Sequence, residues 1–409
     1  MDASLRRCAG VLVVLVLTTL AAACGQTAER AAPTPPESSA ASSSSPSATS
    51  TSSPAVSAVA MKPPGKLEDP LLSPDVLVLS QRSLPDSVID RVRHLRGVRA
   101  VEVFSMAQFY VEEQPIRYAA VDPASFRRYT PQPTAQTTKL WDRVAGGEIM
   151  VRPDLGEQVP TPGDYVRVGS DKDDPRIHIG ALAPLSSPVV APYLDAVVNE
   201  KWAPRLDMPD DNAMFVSTGE TSPQSIQKQL RRIAATKATV QILGPNPDLS
   251  GFQTAILTSG SLSSAVGTFS YTVNPDGTVN PDPSWVRDYI RTEQVPILGG
   301  VTCNKAMLIQ LRAALREVVA SGLAGEIHPG EYGGCYVPRF IARDPSKGLS
   351  FHTWGTAIDL NVAGNQRGTV GLIDRRIVGI FARWGFNWGG TWHYTDPMHF
   401  EMARIVRVG

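Results

Sequence analysis

Two of the six histidines stand in short stretches crowded with aromatic and acidic residues: His352 in SFHTWGTAIDLN, residues 350–361, and His399 in TDPMHFE, residues 395–401. His352 and Asp359 are seven apart, and Gly355 between them lets the chain bend so that both side chains converge. AIDLNV and MHFEM each alternate apolar and polar residues, as half-buried strands do. Two neutral imidazoles and one carboxylate make a set that suits zinc with a fourth position open for water, and an open position means catalysis rather than scaffolding. Such a water needs a base, because zinc lowers its pKa from about 15.7 to about 7 but does not carry the proton to a leaving group. Asp396, three residues before His399 and followed by the stiff Pro397, is placed for that task. Glu401 is the rival: two residues after His399 in a strand, it shares that ligand's face and serves equally well as a partner holding the imidazole.

Helices and strands must position these groups. Asn304 caps a long helix through about Ser321, with Met307, Leu308, Leu311, Leu315 and Val318 apolar and Gly322 as its stop. A later helix, about 374–384, turns Ile377, Phe381 and Trp384 to a core and ends at Gly385. Together with the two strands, these predict a small antiparallel sheet with flanking helices as the carrier of the zinc site. Further upstream, DVLVLS (75–80), a helix opened by Pro85 and closed near Gly97, and AVEVF (100–104) form a strand–helix–strand unit. The pattern returns as AMFVS from Ala213, a helix capped by Ser222 with Pro223 at its first position, and TVQIL from Thr239. Two such units predict an α+β domain of ferredoxin-like type over 66–245, with the β-rich stretch between them as an insertion. Residues 246–300, rich in Gly, Ser, Asn and Pro and holding the hairpin signal NPDG, read as a connector to a last domain over 301–409. His94 and His178 read as structural or surface residues, and His328 as loop.

The 39 basic and 39 acidic side chains balance, so no net field draws the chain to nucleic acid. Arg6 and Arg7 followed by AGVLVVLVLTTLAAA read as an export signal over 1–24, too short for a comfortable membrane span. Its ending in Cys24 resembles a bacterial lipoprotein signal, which implies lipidation of Cys24 and a membrane anchor; ordinary cleavage with secretion, or an uncleaved anchor, are the alternatives. Residues 25–65 are Ala, Ser, Thr and Pro with almost no large apolar side chain, a disordered tether spanning on the order of 35 Å. With Cys8 lost and Cys24 lipidated, Cys303 and Cys335 remain as a pair in an oxidising compartment, which predicts a disulfide.

SFHTWGTAIDLN and GFNWGGTWHYTDPMHFE resemble the two signature motifs of the peptidase M15 family, the zinc D-Ala-D-Ala carboxypeptidases and L-alanyl-D-glutamate endopeptidases. Ser350, His352, Gly355, Ala357 and Asp359 meet the pattern SxHxxGxAxD, and Asp396 and His399 meet DxxH. The resemblance spans about 301–408 and implies zinc held by His352, Asp359 and His399, with Asp396 as general base. It also implies an upstream arginine that fixes the substrate or polarises its carbonyl, and Arg339 stands at about that place. The implied substrate is the stem peptide of peptidoglycan. Trp354, Trp388 and Trp392 read as packing residues and His393 as exposed. VRAVEVF, AAVDPASF, GEIMV and PGDYVRVG are faintly similar to the periplasmic core domain of MacB-type permeases, which implies a binding or spacing role and an envelope protein partner for that region. A zinc-stabilised binding module without catalysis is the second reading, and a full set of ligands plus base speaks against it.

Overall fold

A computed structural model describes residues 58–112, 114–158, 162–169, 173–187, 193–235, 238–244, 249–257 and 260–407. The export signal, Cys24 and most of the tether lie outside the described residues. Among those described, no helix is long and apolar enough to cross a membrane.

The upstream half is built on nine strands: β1 (Val76–Ser80), β2 (Ala100–Val111), β3 (Gln114–Val121), β4 (Ile149–Val151), β5 (Tyr165–Arg167), β6 (Arg176–Leu182), β7 (Ala196–Asn199), β8 (Ala213–Ser217) and β9 (Ala238–Ile242). Their lateral order is β5-β6-β4-β7-β3-β2-β8-β1-β9. Helix α1 (Asp86–Arg93) joins β1 to β2, and α2 (Pro223–Ala234) joins β8 to β9. The four strands of these two units are neighbours, β9-β1-β8-β2, and every pairing among them is antiparallel. Period-two alternation divides their faces. Val76, Val78, Met214 and Val216 pack on Val88, Val92, Ile226 and Leu230 of the two helices, whereas Leu77 and Phe215 join the core on the opposite face, which Phe126 and Trp141 of the short helices Pro123–Phe126 and Thr138–Ala145 cover in part. The residues between β2 and β8 widen the sheet from β3 outward.

β2 runs to Val111, well past the apolar run that stops at Phe104. Ser105 does not end the strand because it is buried with a partner: its hydroxyl oxygen accepts the Asp211 amide at 3.0 Å. The extension forms a hairpin with β3 that reaches the downstream half, where the Tyr110 hydroxyl donates to the Leu349 carbonyl at 2.6 Å. Ser222 stands at the start of α2, but its hydroxyl bonds the Gln224 side chain instead of capping the helix.

Downstream, β10 (Gln253–Ala255), β11 (Phe269–Val273) and β12 (Val279–Pro281) form one sheet, and β13 (Ile290–Val295) pairs with β14 (Gly299–Asn304). Helix α3 (Lys305–Ala320) is capped by Asn304, whose side-chain oxygen accepts the Ala306 amide at 3.0 Å. β15 (Ala357–Asp359), α4 (Arg375–Arg383), β16 (Phe386–Trp388) and β17 (His399–Met402) follow, the strands ordered β15-β17-β16 and all antiparallel. One hydrophobic core joins Phe269 and Trp285 to Leu311, Trp354, Phe381 and Phe400. The segment read as a connector thus carries a sheet, a helix (Pro283–Tyr289) and a hairpin strand that share the core of the metal-ligand strands.

Candidate metal centre

Register is the first positioning device. Asp359 of β15 lies directly opposite His399 of β17, and residues directly opposite in an antiparallel pair project from the same face. The second device is a tight turn. Ser350 caps the short helix Phe351–Thr353 by accepting the His352 amide, and Gly355 (φ +66°) then folds the chain back toward β15. A Cβ on residue 355 would lie 2.7 Å from the Asn304 nitrogen, so only glycine lets this turn seat on the end of β14. His352, Asp359 and His399 thereby bring one donor atom each within 4.8 Å of one another.

Asp359 stands between the imidazoles, Oδ2 3.3 Å from His352 Nε2 and Oδ1 3.1 Å from His399 Nδ1. His352 Nδ1 donates to the Cys335 carbonyl at 2.9 Å, which leaves its lone pair on Nε2. That Nε2 is buried and makes no hydrogen bond, a costly state for a nitrogen unless a cation takes the lone pair. On the other side of the site, His399 Nε2 faces Glu401 Oε2 at 3.5 Å. Burial opposes the charge of Asp359, but the two imidazoles outweigh it and hold its carboxyl far below the usual carboxylate range. Burial likewise opposes the His399 cation, yet the Asp359 and Glu401 carboxylates raise that imidazole well above the ordinary histidine value. Two imidazole nitrogens and an ionised carboxylate, with His352 held from behind by the Cys335 carbonyl, fit a divalent metal of the zinc type.

Asp396 is buried in the loop that enters β17; its amide donates to the Gly389 carbonyl at 2.8 Å, and its own carbonyl accepts the His399 amide at 3.0 Å. Glu401 is buried in β17 itself. The Arg339 backbone is clamped to the His352 turn: its amide donates to Thr353 Oγ1 at 3.0 Å, and its carbonyl accepts from the same hydroxyl at 2.8 Å. Its guanidinium forms one hydrogen bond, to the Phe340 carbonyl at 3.4 Å. Cys303 and Cys335 are bonded, S–S 2.10 Å, so the disulfide ties β14 to the carbonyl that orients His352. Trp354 is fully buried, and the Trp392 ring lies 5.2 Å from that of His399. His393 is exposed, its amide donating to Glu112 at 3.1 Å. Elsewhere His94 caps α1 with Nδ1 2.8 Å from the Asp90 carbonyl, His178 pairs with Glu148 at 2.7 Å, and His328 lies exposed in a loop. Sequence reasoning did not find Thr353 or the Cys335 carbonyl; the first looks like any polar residue in a turn, and the second is backbone.

Residues 343–402 match the profile of a peptidase M15 group described as D-alanyl-D-alanine carboxypeptidase. The matched stretch holds His352, Asp359, Asp396, His399 and Glu401, and leaves Arg339 and both cysteines outside. No curated protein matches the chain. A solved domain of a permease protein from Porphyromonas gingivalis is similar at 13% identity over 42% of this chain and 89% of that one, with a TM-score of 0.23, too slight a likeness to build on. Sequence motifs, profile match and the convergence of His352, Asp359 and His399 agree, and residues 343–402 bear the signature of the M15 peptidases.

Proposed function

We propose that the chain is an exported zinc peptidase that hydrolyses stem peptides of peptidoglycan. The observation that carries the reading is the convergence of buried His352 and His399 on Asp359 inside the segment matched by the carboxypeptidase profile. Zinc held by these three would polarise the scissile carbonyl and make a nearby water acidic. The chain's own residues do the rest. Asp396 takes the water's proton and returns it to the leaving amine. Glu401 steadies His399 through Nε2, and the Cys335 carbonyl steadies His352 through Nδ1. Arg339, its backbone locked beside His352, offers a guanidinium to a substrate carboxylate or carbonyl oxygen. Anchoring through Cys24, and a partner for the nine-stranded half within the envelope, belong to the same proposal and rest on the sequence.

Purified muropeptides incubated with the protein, with and without a chelator, test this by mass spectrometry. Loss of a terminal D-Ala would identify a carboxypeptidase and a cut inside the stem an endopeptidase; both should stop with chelator. A zinc-loaded protein that forms no product would overturn the reading.

A further inference from the structure

Apart from the metal ligands, a cavity of about 370 Å³ opens between the face of the nine-stranded sheet that carries Leu77 and Met106 and the downstream half. This is at the small end of ligand pockets, which run roughly 300–1,000 Å³. Leu77, Leu79 and Met106 line it from the sheet, and Tyr271, Phe340 and Leu349 from the other side. Among the described residues, the only charged side chains lining it are Arg117 and Arg152. Both reach the wholly buried Asp195 through Nε, at 3.1 and 2.8 Å. One carboxylate therefore answers two guanidinium charges. Arg152 has a second partner in Asp154, which is largely exposed. Among the described residues Arg117 has none: its Nη atoms make no hydrogen bond, and about a third of its side chain is open to solvent. Burial pushes the Tyr271 phenol up, and the Arg117 charge opposes that rise, so the guanidinium is felt at the apolar wall. A fork fixed at Nε with its two outer nitrogens free is pre-organised for a planar oxyanion.

We propose that this cavity binds a small carboxylate with an apolar body, of the size of a blocked dipeptide, the carboxylate held by the outer nitrogens of Arg117 and the body lying against Leu79, Met106 and Phe340. Neither an adjoining metal nor the peptidase reading is required, because none of His352, Asp359 and His399 lines the cavity.

Calorimetric titration of N-acetyl-D-alanyl-D-alanine into the full chain, with chelator present so that hydrolysis and metal ligation play no part, tests the site. Saturable binding is expected, weakened roughly tenfold or more by Arg117→Gln and when the acid is replaced by the neutral dipeptide amide. Gln241→Trp, on the half-buried edge strand β9 that also lines the cavity, should block binding by filling it, and so tests the site even if Arg117→Gln disturbs the Asp195 pairing. His352→Ala should bind as the parent does. No binding at millimolar peptide, binding that survives Gln241→Trp, or an amide that binds as well as the acid would overturn the proposal. Failure of the muropeptide assay would leave these outcomes unchanged, which separates the two readings.

Discussion

Asp359 is the residue on which the centre turns, because each of its oxygens faces a different imidazole. It keeps its negative charge against burial only by that company. The same company makes His399 hold a proton well above the ordinary histidine range when no metal competes. A raised histidine pKa favours the protonated form, so zinc must displace that proton, and zinc affinity should fall as pH falls, beginning above the usual histidine range. Calorimetry of zinc binding at about pH 7 in buffers of different ionisation enthalpy should count about one proton released; an affinity that does not change between about pH 6 and 8 would contradict this. The two remaining carboxylates should separate by role. Asp396→Asn should keep zinc and lower turnover by roughly 10²–10⁴, while Glu401→Gln should weaken zinc roughly 10- to 100-fold and spare turnover once metal is saturating. Metal content by atomic absorption, measured beside kcat, checks both; the reverse pattern would make Glu401 the base. This part of the site was legible because side chains carry it and their spacing survives in the sequence. The clamp on His352 was not, since a backbone carbonyl has no letter of its own.

Among the elements, the disulfide does more than close a loop. It holds the segment carrying Cys335 against β14, and that segment pairs at Gly334 with Asp359. With the cysteines separated by 32 residues, removing the bond should cost about 3–4 kcal/mol on the chain-entropy view. Cys303→Ser/Cys335→Ser should therefore melt earlier in calorimetric scans and bind zinc more weakly, because the acceptor for His352 Nδ1 is no longer held; unchanged zinc affinity would assign the bond to stability alone. The long helices α3 and α4 were readable from their caps and apolar stripes. The strands of 246–300 were not: β10 and β12 are three residues long, too short for alternation to register, and their Gly/Ser/Asn/Pro surroundings look like loop. Partners far away in sequence, such as Trp354 against Phe269, make them regular.

At the scale of the whole molecule, stability should vary with pH through a residue remote from the metal. Glu102 of β2 is pushed up to about 7, first by burial, against a hydrogen bond from Ser125 at 2.5 Å. Because the folded chain holds this proton more tightly than the unfolded one, the contribution is complete below the ordinary value of about 4.5 and is lost as pH rises through about 7. At roughly 1.4 kcal/mol for each pH unit the loss is about 3 kcal/mol at most. Denaturant melts across that window should show it, and Glu102→Gln should flatten the profile; equal slopes for parent and variant would refute the assignment. The four neighbouring strands of the two strand–helix–strand units were visible in hydrophobic period, but the reach of the β2–β3 hairpin was not, since nothing in its sequence marks where its tip will dock. Tyr110, at that tip, sits in the same core as Phe351 and Trp354, one turn from a metal ligand. The consequence concerns modularity: a gene fragment cut at residue 301 and moved to another protein would leave this aromatic seat empty, so the peptidase portion of this chain is not a portable cassette.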